Sequence, residues 1–253
     1  MPFDLVETDA AGHAGSDPLQ EELALLELAA QGRHVAQLWE APLSLVVPRT
    51  YLRHAALETA RADFARQGCP VFLRMSGGGL VPQGPGILNL SLAYPVGQPP
   101  GALSDAVYMH LCAVIGGGLR RLGIETHWQA VAGSFCDGRY NLAWGPPEAA
   151  RKIAGTAQYW RRAPAAMQAA DGQRHLVLAH AVLLVSADPA QINARANAFE
   201  AAIDSERRYE AGKVVSVREA RLAGGHAGQD DAALTAEVSD ALRWSLGQHP
   251  APA

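Results

Sequence analysis

Apolar positions recur at helical spacing along residues 17–31, where Leu19, Leu23, Leu26 and Ala30 share one face. Asp17 and Pro18 supply an N-cap and a first helical residue. The run at 35–47 is strand-like and is broken by Pro42. Residues 50–66 read as a second helix capped by Thr50, and 104–122 as a third. Apolar runs at 71–76, 87–95, 127–133, 139–144, 152–160 and 175–185 read as strands, with a Gly-rich loop at 77–86. Residues 188–203 and 230–246 read as helices, with 212–220 between them. Several strands follow one another directly, which predicts an α+β fold with a mixed or antiparallel sheet packed with helices. Residues 1–16 read as a loose leader and 17–253 as a single domain, with room for a small helical lobe over 186–253.

The chain has 253 residues, enough for a sizeable core. A 49% hydrophobic and 18% charged composition is that of an ordinary globular protein. A net charge of −4 argues against nucleic-acid phosphates as the main partner. No stretch reads as an apolar run of membrane-span length, and the start lacks the basic and apolar regions of a signal peptide. The expectation is a cytoplasmic protein with no membrane partner. The basic residues are 19 Arg but only two Lys, Lys152 and Lys213. Arg over Lys beside 48 Ala reflects compositional bias, and it marks each lysine for inspection.

Three cysteines, Cys69, Cys112 and Cys136, make neither a disulfide framework nor a CxxC metal pair, so no metal site is expected. Cys112 lies among Leu111, Val114 and Ile115, where cysteine acts as a small hydrophobe. Cys69 precedes a proline in a turn. Cys136 sits in GSFCDGRYNL, a polar loop in which a neighbouring cation would raise its thiolate fraction. Sixteen residues on comes Lys152, followed by Gly155, which permits close backbone approach. The loop after Arg74 lacks both the GxxxxGK[ST] and the GxGxxG patterns. It reads equally as a flexible hairpin and as a ligand cradle, and the donor fork of Arg74 favours the second. Gly116 to Gly118 read as a helix-terminus or packing feature.

Five segments in order resemble the lipoate-protein ligase and octanoyl/lipoyl transferase family, related in fold to biotin-protein ligases and the class II synthetase-like catalytic domain. They are Leu73-Arg74-Met75-Ser76-Gly77-Gly78-Gly79, the strand Gly86–Leu92 with Asn89, the lysine motif Arg151–Gln158, the strand opening at His180, and Val214–Val217. The resemblance implies that Lys152 contacts the acyl carbonyl. It implies that Arg74, Ser76, Gly77, Gly78, Gly79, Asn89, Gly155, Thr156 and His180 bind substrate. Gly133-Ser134-Phe135-Cys136 resembles the loop of the cysteine-dependent amidotransferase branch, with Cys136 as nucleophile.

That branch moves an octanoyl or lipoyl group between carriers. The implied donor is an acyl-carrier protein or glycine-cleavage H protein, and the implied acceptors are lipoyl domains of 2-oxoacid dehydrogenases. No cofactor is required beyond the lipoate or octanoate group itself. Two other readings stand beside it: an ATP-dependent lipoate-protein ligase, and an inactive homologue that binds a carrier or acyl group. Biotin ligation fits less well. The chain also departs from the family pattern. Leu73 replaces an arginine, Gln83-Gly84 replace a His-Asp pair, and residues 145–149 look inserted. His127 and His180 are candidates for a general base.

Overall fold

The computed structural model describes residues 2–6, 17–168 and 174–252. Its centre is a seven-stranded sheet built from β1 (Asp4–Leu5), β2 (Val35–Glu40), β6 (Ile87–Val96), β7 (His127–Trp128), β8 (Leu142–Trp144), β9 (Arg151–Arg162) and β10 (His175–Leu184). The order is β1-β2-β6-β10-β9-β8-β7. All neighbours are antiparallel except β1 and β2. A second sheet, β4-β3-β5, joins β3 (Ser44–Pro48), β4 (Val71–Arg74) and β5 (Val81–Gln83). The helices are α1 (Pro18–Ala29), α2 (Leu57–Arg66), α3 (Pro100–Arg121), α4 (Pro189–Ala202), α5 (Val217–Ala223) and α6 (Asp231–Gln248).

Alternation along β10 divides its side chains between two faces. Val177, Ala179, Ala181 and Leu183 pack into one large core with Val107 and Leu111 of α3 and Val238 of α6. The opposite face is split. Leu176 and Leu178 lie under α1, whereas Val182 and Leu184 meet the small sheet, α2 and α4. His180 falls between these two apolar blocks. β6 repeats the division, with Ile87 in one block, Ala93 in the other, and Asn89 and Ser91 between.

Several elements differ from the sequence expectation. Pro42 separates β2 from β3, as the break suggested. Thr50 caps no long helix: residues 49–53 form a 3-10 turn and α2 begins at Leu57 after Ala56. β5 lies inside the expected Gly-rich loop, because three residues are enough to pair with β3. α3 begins four residues earlier than expected, with Pro100 at its first position. Its 22 residues are long and apolar enough to cross a membrane by length and composition, contrary to the expectation of no such stretch. Its buried residues join the large core.

The leader is not loose throughout. Asp4 and Leu5 pair in parallel with β2, and Phe3 packs on Tyr94 and His110. The rest of that leader, residues 7–16, lies outside the described residues. Nor do residues 186–253 stand off as a lobe. Phe199 of α4 packs into the small-sheet core, and Leu242 of α6 into the large one. Gly117 and Gly118 are a packing feature, since a Cβ would meet Ser245 Oγ at 2.5 Å and Leu242 at 2.7 Å.

Candidate active site

The gap between the two apolar blocks is a cavity of about 620 Å³, including its mouth. Strands β6, β9 and β10 form its floor, β4 and β5 one wall, and α1 another. Arg74, Asn89, Cys136, Lys152, Gly155, Thr156 and His180 all line it. Ser76 joins through His180, and Gly77 to Gly79 flank the thiol.

Cys136 has φ of +47°, a left-handed position that side-chain-bearing residues seldom occupy. The thiol is directed toward the Gly-rich loop. The Gly79 amide donates to Cys136 Sγ at 3.4 Å, and Arg74 Nη2 lies at 3.9 Å. A Cβ on Gly78, whose φ is +106°, would sit 2.7 Å from that sulfur. The glycines therefore admit the thiol as well as the turn. Arg74 Nη2 also donates to the carbonyls of Gly77 and Gly79, holding the loop shut on itself. Its Nε has no partner among the described residues.

Lys152 is 1% exposed. Burial of this kind is rare for a lysine, a residue almost never fully buried unless paired. Val215 donates its amide to the Lys152 carbonyl, so the Val214–Val217 segment covers the strand here. The ammonium donates to Phe135 O at 2.6 Å and Cys136 O at 3.0 Å, and lies 4.4 Å from the Phe135 ring centroid. Gly155 makes room for it, since a Cβ there would approach Nζ to 2.8 Å. Asn141 donates to the same Cys136 carbonyl. Lys213 is half-buried in a 3-10 turn and takes no part.

The electrostatics separate the three cysteines. Burial opposes ionisation of Cys136. The charges of Lys152 and Arg74 and the Gly79 hydrogen bond outweigh it, and the pKa falls below the ordinary thiol value. Cys112 has no such company, and burial pushes it up to about 12. Burial also raises Cys69. Lys152 is lowered to about 8 by burial, against the pull of Cys136, with Arg74 lowering it further and Asp137 opposing. A thiolate and an ammonium thus stabilise each other in a buried place where either alone would be costly.

A second polar group lies on the cavity wall. His180 Nε2 and Ser76 Oγ are 2.8 Å apart, and His180 Nδ1 meets the Glu22 carboxylate from α1. Gln83 and Asn89 exchange amide hydrogen bonds at 2.8 and 2.9 Å. Glu22, Gln83, Trp39 and Asn141 were not among the expected site residues. Glu22 had a legible signal: a carboxylate three residues after Leu19 and four before Leu26, on the apolar stripe. His127 pairs with Gln129 on the edge strand β7 and does not line the cavity.

The model of the lipoyl protein ligase A/B catalytic domain matches residues 17–222. The chain belongs to this family. An uncharacterized protein of Cupriavidus necator is 84% identical over 253 residues, the whole of both chains. The octanoyl-GcvH:protein N-octanoyltransferase of Kyrpidia tusciae is 33% identical over 220 residues, 87% of this chain and 73% of that one. The fold is shared with a lipoate-protein ligase A bound with ATP, at a TM-score of 0.64 and 16% identity, covering 98% of this chain and 85% of that one. Ta0514 of T. acidophilum with bound lipoic acid follows at 0.61 and 16%, with 98% and 86% covered. The α+β fold expected for the family is the fold observed.

Proposed function

We propose that this ligase A/B family member is an acyltransferase of protein lipoylation that carries an octanoyl or lipoyl group as a thioester on Cys136. The observation that carries the reading is the Cys136–Lys152–Gly79 arrangement: a thiol of lowered pKa with the Gly-rich loop's amide turned onto its sulfur. The likeness to the Kyrpidia tusciae octanoyltransferase supports a carrier such as glycine-cleavage H protein as donor. Lipoyl domains are the fitting acceptors.

In the first step the Cys136 thiolate attacks the carbonyl carbon of the donor's acyl amide. The C–S bond forms, the C–N bond breaks, and the departing lysine nitrogen takes up a proton. In the second step the amine of an acceptor lysine attacks the thioester. The C–N bond forms, the thiolate leaves, and the attacking nitrogen gives up its proton. No ATP enters either step. Two N–H groups of Lys152 are already engaged by the loop carbonyls. Lys152 therefore holds the loop and ionises the thiol, with its third N–H left for the acyl oxygen. Arg74 Nε is a second free donor for the charge developing there. The apolar walls around Trp39, Val46 and Phe72 suit an acyl chain, at roughly 0.8 kcal/mol per buried methylene.

Incubation with an octanoylated H protein is expected to add one octanoyl mass to the enzyme as a hydroxylamine-labile adduct, absent in Cys136→Ser. An adduct formed only from free octanoate and ATP would instead establish the ligase reading. Full activity in Cys136→Ala would remove the thioester.

A further inference from the structure

Arginines elsewhere on this protein are mostly paired with acids. Arg33, Arg61, Arg66, Arg120, Arg161 and Arg221, among others, each have a carboxylate within ion-pair distance. On the two segments joined by Tyr51 and Arg207, residues 49–53 and 204–210, the pattern stops. Arg49 reaches Met75, next to the Gly-rich loop, through sulfur. Arg53 Nε reaches His54 Nε2 at 3.5 Å. Arg208 donates to the carbonyls of Ser205 and Arg207. Arg207 Nη1 donates to the Tyr51 hydroxyl at 3.3 Å. None of the four forms an ion pair with a carboxylate of the described residues, and all four are exposed. Glu206 and Glu210 share the Arg207 segment without pairing with them.

Arg207 is the best held of the four. A Cβ on Gly79 would lie 2.7 Å from its Nη1, so the guanidinium rests against the residue whose amide faces the thiol. Beneath it, Tyr51 and Tyr209 both donate to Glu200 Oε1 at 2.6 Å. Glu200 is fully buried, and its other oxygen has no partner among the described residues. A buried carboxylate spends its hydrogen bonds on two tyrosines, and one of these fixes an exposed cation. The buried Glu200 charge also attracts the Arg207 guanidinium, so the cation is held in place against the Gly-rich loop.

Resting on the proposed acyl transfer, we propose that Arg49, Arg53, Arg207 and Arg208 form a docking rim for an acidic face of the protein that carries the acyl group. The chain is acidic overall, at −4, whereas the segments carrying these four arginines are joined by the Arg207–Tyr51 bond and reach the Gly-rich loop at Met75 and Gly79. Carboxylates around the carrier's modified lysine would pair with the rim and direct its acyl arm past Gly79 to Cys136. Unpaired rim charges of this kind act chiefly on the rate of encounter and on its salt dependence.

The test compares two acyl donors on the intact chain. One is the octanoylated H protein, and the other is the octanoyl thioester of N-acetylcysteamine, which has no protein surface. The variant is Arg49→Glu/Arg53→Glu/Arg208→Glu, which leaves Arg207, the glycines and the cavity in place. The kcat/KM with the H protein is expected to fall roughly tenfold or more. The wild-type rate should drop with added salt and the variant's should not. Acylation of Cys136 by the small thioester should stay unchanged.

An unchanged rate with the H protein overturns the rim. Equal losses with both donors also overturn it, because the charges would then be acting on the chemistry. If millimolar inorganic phosphate blocks the small thioester in wild type but not in the variant, the rim is a phosphate site and the proposal fails. If wild type accepts an acyl group from neither donor, the acyl-transfer reading falls. The rim is then decided by titrating labelled H protein: weaker binding to the variant supports it, and equal binding refutes it.

Discussion

The two faces of β6 and β10 are made from the same strands and hold opposite contents. On one face Leu88, Leu90 and Leu92 of β6 and Val177, Ala179 and Ala181 of β10 pack with apolar side chains of α3 and α6. On the other face the apolar rows are interrupted in register: Asn89 and Ser91 on β6, His180 on β10. Each interruption is bonded to a side chain from another element, namely Gln83, Trp39, Ser76 and Glu22. One face is sealed by continuous contact. The other is divided by satisfied polar groups, so that a cavity persists between two cores without collapse. The site therefore follows from strand alternation, with a few polar residues placed at one level of the sheet.

That contrast can be broken from either side. The largest effect is expected at the thiol: Cys136→Ala should lower octanoyl transfer by about four orders of magnitude or more, with the thermal midpoint nearly unchanged. Lys152→Met should cost about a hundredfold or more in transfer. It should also move the pH midpoint of iodoacetamide alkylation of Cys136 upward, because the nearest cation is gone. Stability gives a second reading of the same pair. Unfolded Lys152 keeps its proton to its ordinary pKa near 10.5, whereas the folded side chain releases it at about 8. Between those values the unfolded state binds more protons, so wild type gains stability as pH rises. The gain should be missing from Lys152→Met when the two unfolding curves are subtracted.

On the sealed face, Leu111→Ala should remove about 2–5 kcal/mol from unfolding in urea. Transfer per folded molecule should stay at the wild-type rate. A matching loss of transfer would show that the two faces are not independent. The smallest effect is expected at Glu22→Gln, which keeps a hydrogen bond to His180 but removes its charge. About 1 kcal/mol of stability should go, with a severalfold rise in KM for the acyl donor and little change in alkylation rate.

Much of this was legible in the sequence because it is local. Pro42, the strand-like run of β10, the glycines at 77–79 and the pairing of a loop cysteine with a scarce lysine are all read within short windows. What escaped depends on distance along the chain. Glu22 meets His180 across 158 residues, and Arg207 meets Tyr51 across 156. No spacing rule brings such partners together. Lys152 shows a subtler gap. Its scarcity marked it, but its burial depends on the Val214–Val217 segment folding over β9 and on the room left by Gly155. The missed β5 and the misplaced start of α2 are failures of length, since three residues and one 3-10 turn carry too little periodicity to read.

The left-handed backbone at Cys136 also limits which residues can succeed it by mutation. A β-branched side chain is strained there, at a cost of order 1–3 kcal/mol. Threonine, a natural hydroxyl substitute for a thiol, is thus disfavoured before its chemistry is tested. Loss of the nucleophile would more readily lead to glycine, asparagine or aspartate, which tolerate that conformation. Descendants of this chain that had abandoned acyl transfer would be recognisable by one of those three residues at the tip of the loop.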